Sequence, residues 1–280
     1  MTSNPAQPGG PLPARLELPA DARVLVASDM HLGDHDPATA RWFGSALGDR
    51  LGDADGPHGF SHLLLLGDLF EGWAGDDAPD QVSRAFLATL RDIAAKRAVF
   101  AMHGNRDFLL DVPLPDPDHA GFTAQTGARL LADPCLLVIG QNRLLIAHGD
   151  AYCTDDAAYM AFRAQSRTPH WQQRFLSATA AQRQQTVREM RADSRQHQAD
   201  ASPMIGDVNQ AAIDRTMSLA GVATMIHGHT HRPQSHRWTH AGQTRTRHVL
   251  SDWDVATARG GFLSLSAQRI ERLAPTPPGG

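Results

Sequence analysis

Short apolar runs divide this chain, and polar residues follow each of them directly. There are four strong runs and one weaker run: residues 24–27, 63–66, 144–147 and 223–226, with the weaker run at 98–102. Apolar runs of this length are typical of buried strands. Apolar residues recur at helical spacing over residues 38–51 and 81–95, so the pattern predicts helices that connect the strands in strand–helix–strand units.

Each predicted strand is followed by side chains that bind metal ions. The five segments are Asp29-Met30-His31, Gly67-Asp68, Gly104-Asn105-Arg106-Asp107, His148-Gly149-Asp150 and Gly228-His229-Thr230-His231. A lone Asp or His at a strand end is usually a cap or a turn residue. Since open α/β folds collect their sites at the carboxyl ends of strands, five such segments in order favour one shared site.

The donor types indicate a centre for two metal ions. Asp, Asn and His supply oxygen and nitrogen ligands that suit Mn, Fe, Zn or Mg. Two neighbouring ions need a bridging carboxylate and can hold both oxygens of a phosphoryl transfer. We expect Asp68 to be this bridge. The remaining ligands divide into one set of Asp29, His31 and His231, and another of Asn105, His148 and His229.

This ordered set resembles the calcineurin-like metallophosphoesterases, whose pattern is D-x-H, G-D, G-N-H-[ED], H and G-H-x-H. The resemblance covers residues 22–266. It implies an α/β fold, a four-layer α/β/β/α sandwich of two mixed sheets with a helical lid insertion. With the Pro- and Gly-rich ends read as disordered tails, the expected divisions are a tail at 1–20, a core at 21–151 and 221–270, a lid at 152–220 and a tail at 271–280.

One position departs from the general family, because Arg106 stands where the pattern has His. A His there can protonate a poor leaving group, as in the cleavage of simple esters. Arg keeps its charge near neutral pH and holds phosphate oxygens through two hydrogen bonds. Arg106 therefore favours a phosphoanhydride, whose leaving phosphate needs no proton.

Longer phrases are similar to one branch, the UDP-2,3-diacylglucosamine diphosphatases of lipid A biosynthesis. They lie at residues 67–73, 75–77, 148–150, 153–156, 161–163, 190–194, 207–210 and 227–233. This resemblance implies a pyrophosphohydrolase that binds two divalent metal ions, Mn²⁺ in this family. The implied reaction gives UMP and 2,3-diacylglucosamine 1-phosphate (lipid X), by attack of a metal-activated hydroxide on the phosphorus nearer uridine.

The same resemblance assigns roles to individual residues. It makes Asn105, Arg106 and His229 catalytic, and Asp107 and Asp150 carboxylates that orient the ligands. The implied substrate contacts are Asn105, Arg106, Asp156, Ser194, Gln198 and His229. Relatives usually have Asn and then Lys where this chain has Gln198 and Ala201, so a nearby Arg such as Arg195 is expected to replace the missing cation.

The segment from about residue 152 to 220 is long, largely helical and rich in arginine. Between residues 163 and 195 it holds seven arginines, at 163, 167, 174, 183, 188, 191 and 195, together with several aromatic residues. One interpretation is a helical pair whose basic face is simply solvated. The other is a lid that shelters two acyl chains and turns its basic side to anionic lipid headgroups.

Composition limits the partners and the location. A net charge of −4 argues against nucleic acid as a partner, and two cysteines are too few for a disulfide framework. No signal-peptide pattern and no apolar stretch of 18 residues occur, so we expect a cytoplasmic protein. The basic lid and the resemblance to enzymes with a lipid substrate imply that it is peripheral on the cytoplasmic face of the bacterial inner membrane, and no obligate protein partner is evident. Two alternatives stay open: hydrolysis of another nucleotide anhydride, such as a dinucleoside polyphosphate or nucleotide sugar, and a binding scaffold without catalysis.

Overall fold

The computed structural model describes residues 14–52, 59–200 and 207–277, with the backbone alone for 195–200. The strands in these ranges are β1 (Arg15–Leu18), β2 (Val24–Ala27), β3 (His62–Leu66), β4 (Ala98–Met102), β5 (Arg129–Leu131), β6 (Cys135–Ile139), β7 (Asn142–Ala147), β8 (Thr224–His227), β9 (Ser235–His240), β10 (Gln243–Val249), β11 (Phe262–Leu265) and β12 (Ile270–Leu273). The α-helices are α1 (Pro37–Leu51), α2 (Gln81–Ala94), α3 (Phe122–Thr126), α4 (Ala157–Ser166), α5 (Pro169–Leu176), α6 (Ala180–Asp200) and α7 (Gln210–Ala220).

The strands form two six-stranded mixed sheets. The first sheet has the order β1-β6-β7-β8-β10-β9, and the second has the order β12-β11-β2-β3-β4-β5. In the second sheet β2, β3, β4 and β5 are parallel, while β11 is antiparallel to β2. In the first sheet β7 and β8 are parallel, and β6 is antiparallel to β7.

Alternating side chains of the central strands fill two different apolar layers. In β2, Val24 and Val26 contact the layer between the two sheets, whereas Leu25 and Ala27 contact the layer that includes residues of α1 and α2. This follows from the period-two alternation of a strand. A third cluster joins the outer face of the first sheet to α7. Together the clusters give the predicted order of four layers, α/β/β/α.

The two predicted connecting helices form with side-chain caps at their N-termini. Asp36 accepts a hydrogen bond from the amide of Thr39 at the start of α1, and Asp80 accepts one from Ser83 at the start of α2. Such caps satisfy amide groups that a helix leaves unpaired at its beginning. Helix α1 begins at Pro37 and α2 at Gln81, within one residue of the predicted starts at 38 and 81.

Both predicted tails are wrong in part. Arg15–Leu18 forms strand β1, parallel to β6, with Leu16 buried. At the other end Ile270–Leu273 forms β12 against β11, and the Trp42 indole donates to the carbonyl of Thr276. These short segments pair with existing sheet edges, an interaction that the Pro- and Gly-rich composition beside them concealed. Residues 1–13 and 278–280 lie outside the described residues.

The predicted lid also includes a helix of the core. Helix α7 forms the last part of the predicted lid segment. It buries Ile213 and Met217 against Leu145 and Met225 of the first sheet. Apolar residues at positions 213, 217 and 220 fall on one helical face, so this helix covers the sheet rather than the cavity. Helices α4, α5 and α6 remain as the insertion.

Candidate active site

The seven predicted metal ligands follow neighbouring strands of both sheets. In the second sheet, Asp29 and His31 follow β2, Asp68 follows β3 and Asn105 follows β4. In the first sheet, His148 follows β7, and His229 and His231 follow β8. Within each sheet these strands are adjacent and parallel, so their carboxyl ends lie at one edge.

The first predicted ligand set is assembled closely. Nε2 of His231 lies 3.1 Å from Nε2 of His31 and 3.5 Å from Oδ1 of Asp29. One ligand atom from each of the three residues lies within 4.8 Å of the others. Three donors at this separation can converge on a single cation.

The second set meets around Asn105 and Asp68. Oδ1 of Asn105 lies 3.1 Å from Nε2 of His148 and 2.9 Å from Nδ1 of His229. Asp68 directs Oδ1 to Nε2 of His148 at 3.6 Å and Oδ2 to Nδ1 of His31 at 3.9 Å, so its carboxylate lies between the two sets. Asp29, Asp68 and His148 also form a group within 4.8 Å, which places Asp29 beside both sets.

Five of the seven residues have a left-handed backbone conformation. The φ angles are 55° for Asp29, 50° for His31, 51° for Asp68, 68° for His229 and 53° for His231. Non-glycine residues rarely adopt these angles, and such strain is concentrated at functional sites. The turns after β2, β3 and β8 therefore hold the side chains in the shared site at a conformational cost.

Two glycines allow the ligand loops to approach each other. A Cβ atom on Gly104 would lie 2.0 Å from Oδ1 of Asp68, and one on Gly228 would lie 2.1 Å from Oδ2 of Asp29. Both distances are far below a van der Waals contact. Only glycine fits at these two positions while the carboxylates keep their places.

Burial and neighbouring charges set the protonation of the ligands. Burial, with the charge of His148, lowers the pKa of His229 to about 3, so this imidazole is neutral. Burial and the charge of Asp29 raise the pKa of Asp68. Burial opposes protonation of His148, but the carboxylates of Asp68 and Asp29 raise its pKa to about 9. The site thus concentrates negative charge in a buried volume, and its oxygen and imidazole donors fit divalent cations.

Asp107 connects the loops after β3 and β4. Its Oδ1 accepts a hydrogen bond of 2.7 Å from the amide of Gly104, and its Oδ2 accepts one of 2.6 Å from the amide of Leu69. Burial, followed by the charge of Asp68, raises the pKa of Asp107 to about 7. Asp107 thus fixes the positions of Asp68 and Asn105 through their backbones.

Asp150 contacts the insertion. Its Oδ2 accepts hydrogen bonds from the hydroxyl of Tyr159, from Nε of Arg163 at 2.8 Å and from Arg167 at 3.5 Å. Arg167 also donates to the carbonyl of Gly104 at 3.1 Å, next to Asn105. Asp150 therefore joins α4 to the metal-ligand loops and has no hydrogen bond to a ligand side chain among those described.

Arg106 lies beside the proposed bridging carboxylate. Its amide donates to Oδ1 of Asp68 at 2.9 Å, and its Nε lies 3.4 Å from Oδ2. The guanidinium also pairs with Glu71, which accepts a second ion pair from Arg191 of α6 at 3.2 Å. The sequence analysis assigned no role to Glu71, although it lies only three residues after Asp68.

A cavity of about 340 Å³ opens from Asn105 and Arg106 under the insertion. Its wall is largely apolar and includes Trp73, Phe108, Phe162, Trp171, Phe175 and Met190. Trp171 stacks on Phe175 with ring centroids 5.2 Å apart, and it also lies beside Phe108, with centroids 5.8 Å apart. The cavity thus joins a charged end to an aromatic chamber.

Of the remaining predicted substrate residues, Ser194 lines this cavity. Tyr159, which had no predicted substrate role, lines it as well. Asp156 caps α4 by accepting the amide of Tyr159 at 2.9 Å. The side chains of Gln198 and Arg195, and the whole of Ala201, lie outside the described residues.

Most arginines of the insertion point inward. Arg163 and Arg167 contact Asp150, Arg191 contacts Glu71, and Arg183, which is 3% exposed, forms a two-point ion pair with Asp77 at 2.8 and 2.5 Å. The expectation of a continuous outward basic face is therefore wrong for these four residues, because carboxylates of the core attract them. Of the described arginine side chains in α4, α5 and α6, Arg174 and Arg188 are exposed.

Asp252 is a site residue that the sequence analysis missed. It is 4% exposed and lies after β10, with Oδ2 3.5 Å from Nδ1 of the predicted ligand His231. The available signal was an acidic residue directly after the apolar end of a strand, as at Asp29 and Asp68.

Comparison with known proteins agrees with this geometry. The family model for calcineurin-like phosphoesterases matches residues 22–233. The chain belongs to this family. The match spans all five ligand segments and ends just after His231, so it includes every predicted ligand of the phosphoesterase site.

Relatives of this phosphoesterase are similar over nearly their whole length. A protein named UDP-2,3-diacylglucosamine hydrolase from Chromobacterium violaceum is 42% identical over 251 residues, which is 89% of this chain and 98% of the relative. Proteins of the same name from Bordetella pertussis and Chromohalobacter salexigens are each 40% identical, covering 89% and 82% of this chain and 93% and 88% of the relatives. Among the described helices of this phosphoesterase, none is long and apolar enough to cross a membrane.

Proposed function

We propose that this phosphoesterase hydrolyses the pyrophosphate bond of UDP-2,3-diacylglucosamine in lipid A biosynthesis, giving UMP and 2,3-diacylglucosamine 1-phosphate. The observation that carries the proposal is the continuity between the ligand cluster and the aromatic cavity, which share Asn105 and Arg106. A substrate with a charged diphosphate at one end and acyl chains at the other matches this division. The similarity to hydrolases of that name over most of the chain supports the same substrate.

The proposed ligands are those that the donor chemistry favours. Asp29, His31 and His231 would hold one divalent cation, and Asn105, His148 and His229 another, with Asp68 between them. We propose Mn²⁺ for both, following the resemblance. When bound, such cations supply Lewis acidity, polarising phosphoryl oxygens and making water more acidic.

The chain's own residues then bind and orient the diphosphate. Water adds its oxygen to the phosphorus nearer uridine and releases one proton to solvent, and the bond from that phosphorus to the bridging oxygen breaks. The electron pair leaves with the sugar phosphate, which is stable as an anion and needs no proton from the protein. Arg106 is suited to hold the phosphoryl oxygens through two hydrogen bonds, and Asn105 and neutral His229 add polar contacts.

The apolar wall would take the acyl chains. Trp171 of the insertion faces Phe108 of the core with ring centroids 5.8 Å apart. Phe162 and Phe175 lie beside Trp171, with ring centroids 6.4 and 5.2 Å from it. Burial of acyl methylene groups there would contribute about 0.8 kcal/mol for each group. Ser194 and Asp156 would contact the sugar beneath the chains.

We also propose peripheral contact with the cytoplasmic face of the inner membrane, since the substrate is a lipid. Arg174 and Arg188 are the exposed cations of the described insertion. With two such residues, the attraction to anionic headgroups would be modest and salt-sensitive.

The decisive experiment follows the products of UDP-2,3-diacylglucosamine in ¹⁸O-labelled water with the purified, Mn²⁺-loaded protein. The proposal expects metal-dependent release of UMP and the diacylated sugar phosphate, with ¹⁸O in UMP. Label in the sugar phosphate would contradict attack at the phosphorus nearer uridine. UDP-glucose and a dinucleoside tetraphosphate serve as comparison substrates, and faster cleavage of either would instead favour the alternative of another nucleotide anhydride.

A further inference from the structure

The turn after β10 ties the first and last ligand segments together. The amide of Trp253 donates to the carbonyl of Asp29 at 3.1 Å, and the amide of Leu250 donates to the carbonyl of His227 at 2.8 Å. Asp252 lies between these two bonds along the chain. Its side chain is therefore held beside the ligand set of Asp29, His31 and His231.

The two nitrogens of His231 face different partners. Nε2 faces the ligand cluster, 3.1 Å from His31 and 3.5 Å from Asp29, whereas Nδ1 faces Oδ2 of Asp252 at 3.5 Å. A neutral imidazole has one nitrogen that donates and one that accepts. If Nδ1 keeps its proton for Asp252, the lone pair of Nε2 is directed at the cluster.

The ion pair with Arg259 does not account for burying Asp252. Arg259 donates to Oδ2 of Asp252 at 2.7 Å, but its side chain is 49% exposed and so its charge is screened by water. Oδ1 of Asp252 is buried and has no hydrogen-bond partner among the described residues. A buried acceptor without a partner is costly, so a compensating role is expected.

We infer that Asp252 is a positioning residue that fixes the tautomer and ring orientation of His231 for metal binding. Ligating histidines commonly donate their second ring N–H to a carboxylate, and loss of that carboxylate weakens metal binding about 10–100-fold. The inference rests on the proposed function, because it assumes that His231 is a metal ligand. Asp254 offers a matched control, since it lies two residues away and also pairs with Arg259, at 3.4 Å.

The test titrates metal-free protein with Mn²⁺ and follows free Mn²⁺ by electron paramagnetic resonance. For Asp252→Asn we expect one Mn²⁺ to bind about 10–100-fold more weakly, with the second site close to wild type. Asp252→Glu should recover part of the loss, and Asp254→Asn should bind both ions normally. Urea unfolding of the metal-free proteins should be the same for wild type and Asp252→Asn.

Three results would overturn the inference. These are wild-type Mn²⁺ binding by Asp252→Asn, equal weakening in Asp254→Asn, or a loss of metal-free stability in Asp252→Asn that accounts for the weaker binding. Absence of Mn²⁺ binding by the wild-type protein would overturn the proposed metal centre as well. If the wild-type protein binds Mn²⁺ and Asp252→Asn binds it equally well, the inference about Asp252 fails while the proposed metal centre stands.

Discussion

The ligand loops and the helical insertion border the same cavity, yet they are held in opposite ways. The loops place buried side chains such as Asp29, at 0% exposure, on strained backbone at the ends of central strands. Helices α4 and α5 each bury one residue, Ser166 and Leu176. Ion pairs to Asp150, Glu71 and Asp77 attach the insertion instead. Rigid loops suit fixed donor geometry, and a lightly packed insertion suits a bulky, variable lipid.

The largest loss of activity is expected from a change in the ligand loops, at the carboxylate of Asp68 between the two ligand sets. We expect Asp68→Ala to reduce UMP release by more than the roughly 10–100-fold typical of a residue that only supports a ligand. Treatment of the wild type with EDTA should have the same effect, reversed by Mn²⁺. Asp92→Ala, an exposed change on α2, is the control. Activity of Asp68→Ala within tenfold of wild type would contradict a two-metal site.

Substitutions of Arg106 test how the ligand loops contact the phosphoryl group of the substrate. Arg106→Met should lower kcat about 10²-fold, because a preorganised contact to phosphoryl oxygens is lost, and Arg106→Lys should lie between. Arg106→His restores the general family pattern and should gain activity on bis-p-nitrophenyl phosphate relative to the diphosphate. Steady-state kinetics on both substrates measure this. Equal losses on both substrates for Arg106→His would speak against the anhydride interpretation of this position.

The attachment of the insertion depends on Arg183 and Asp77. Asp77→Asn removes the partner of a buried guanidinium and should cost about 1–3 kcal/mol in free energy of unfolding. Burial opposes ionisation of Asp77, but the hydrogen bonds and charge of Arg183 lower its pKa below the usual 3.8.

The lowered pKa of Asp77 determines how its contribution to the free energy of unfolding changes with pH. The stabilisation by Asp77 is present above its unfolded pKa and is lost as pH falls through the folded pKa. The difference in urea midpoint between wild type and Asp77→Asn should therefore shrink below about pH 4. Asp92→Asn, at an exposed ion pair, is the control, and a difference that grows on acidification would show the wrong sign.

The aromatic chamber tests the apolar half of the comparison. Trp171→Ala should reduce kcat/KM for the long-chain substrate about tenfold, since loss of apolar contact of about 1.4 kcal/mol corresponds to that factor. With a short-chain substrate the same change should have a smaller effect. Kinetics on the two acyl lengths measure the ratio, and an equal loss on both would mean that Trp171 does not contact the chains.

The smallest effect is expected on the outer surface of the insertion. Arg174→Glu with Arg188→Glu should weaken co-sedimentation with phosphatidylglycerol vesicles a few-fold at low salt, because these are the exposed arginines among the described side chains of α4, α5 and α6. Activity on detergent-dispersed substrate should stay unchanged. Vesicle binding that is indifferent to both the substitutions and salt would remove the proposed electrostatic contact.

The sequence by itself determined which side chains gather at the candidate centre. Apolar runs ended at Asp29, Asp68, Asn105 and His148, and strand topology requires such ends to converge, so local order along the chain was enough to gather the ligands. The same periodicity located α1 and α2 within one residue at their starts. These features depend on residues that are close together along the chain, so short stretches of sequence are enough to predict them.

Only the tertiary structure decided which charges are partners. Arg163, Arg183 and Arg191 have the pattern of a solvated helix face, and nothing in their spacing reveals that carboxylates more than ten residues away attract them inward. Tertiary contacts also decided three other features: the left-handed backbone at the ligands, strand β1 at a sheet edge, and the position of Asp252 beside Nδ1 of His231. Each depends on segments distant along the chain that come together only when the two sheets pack.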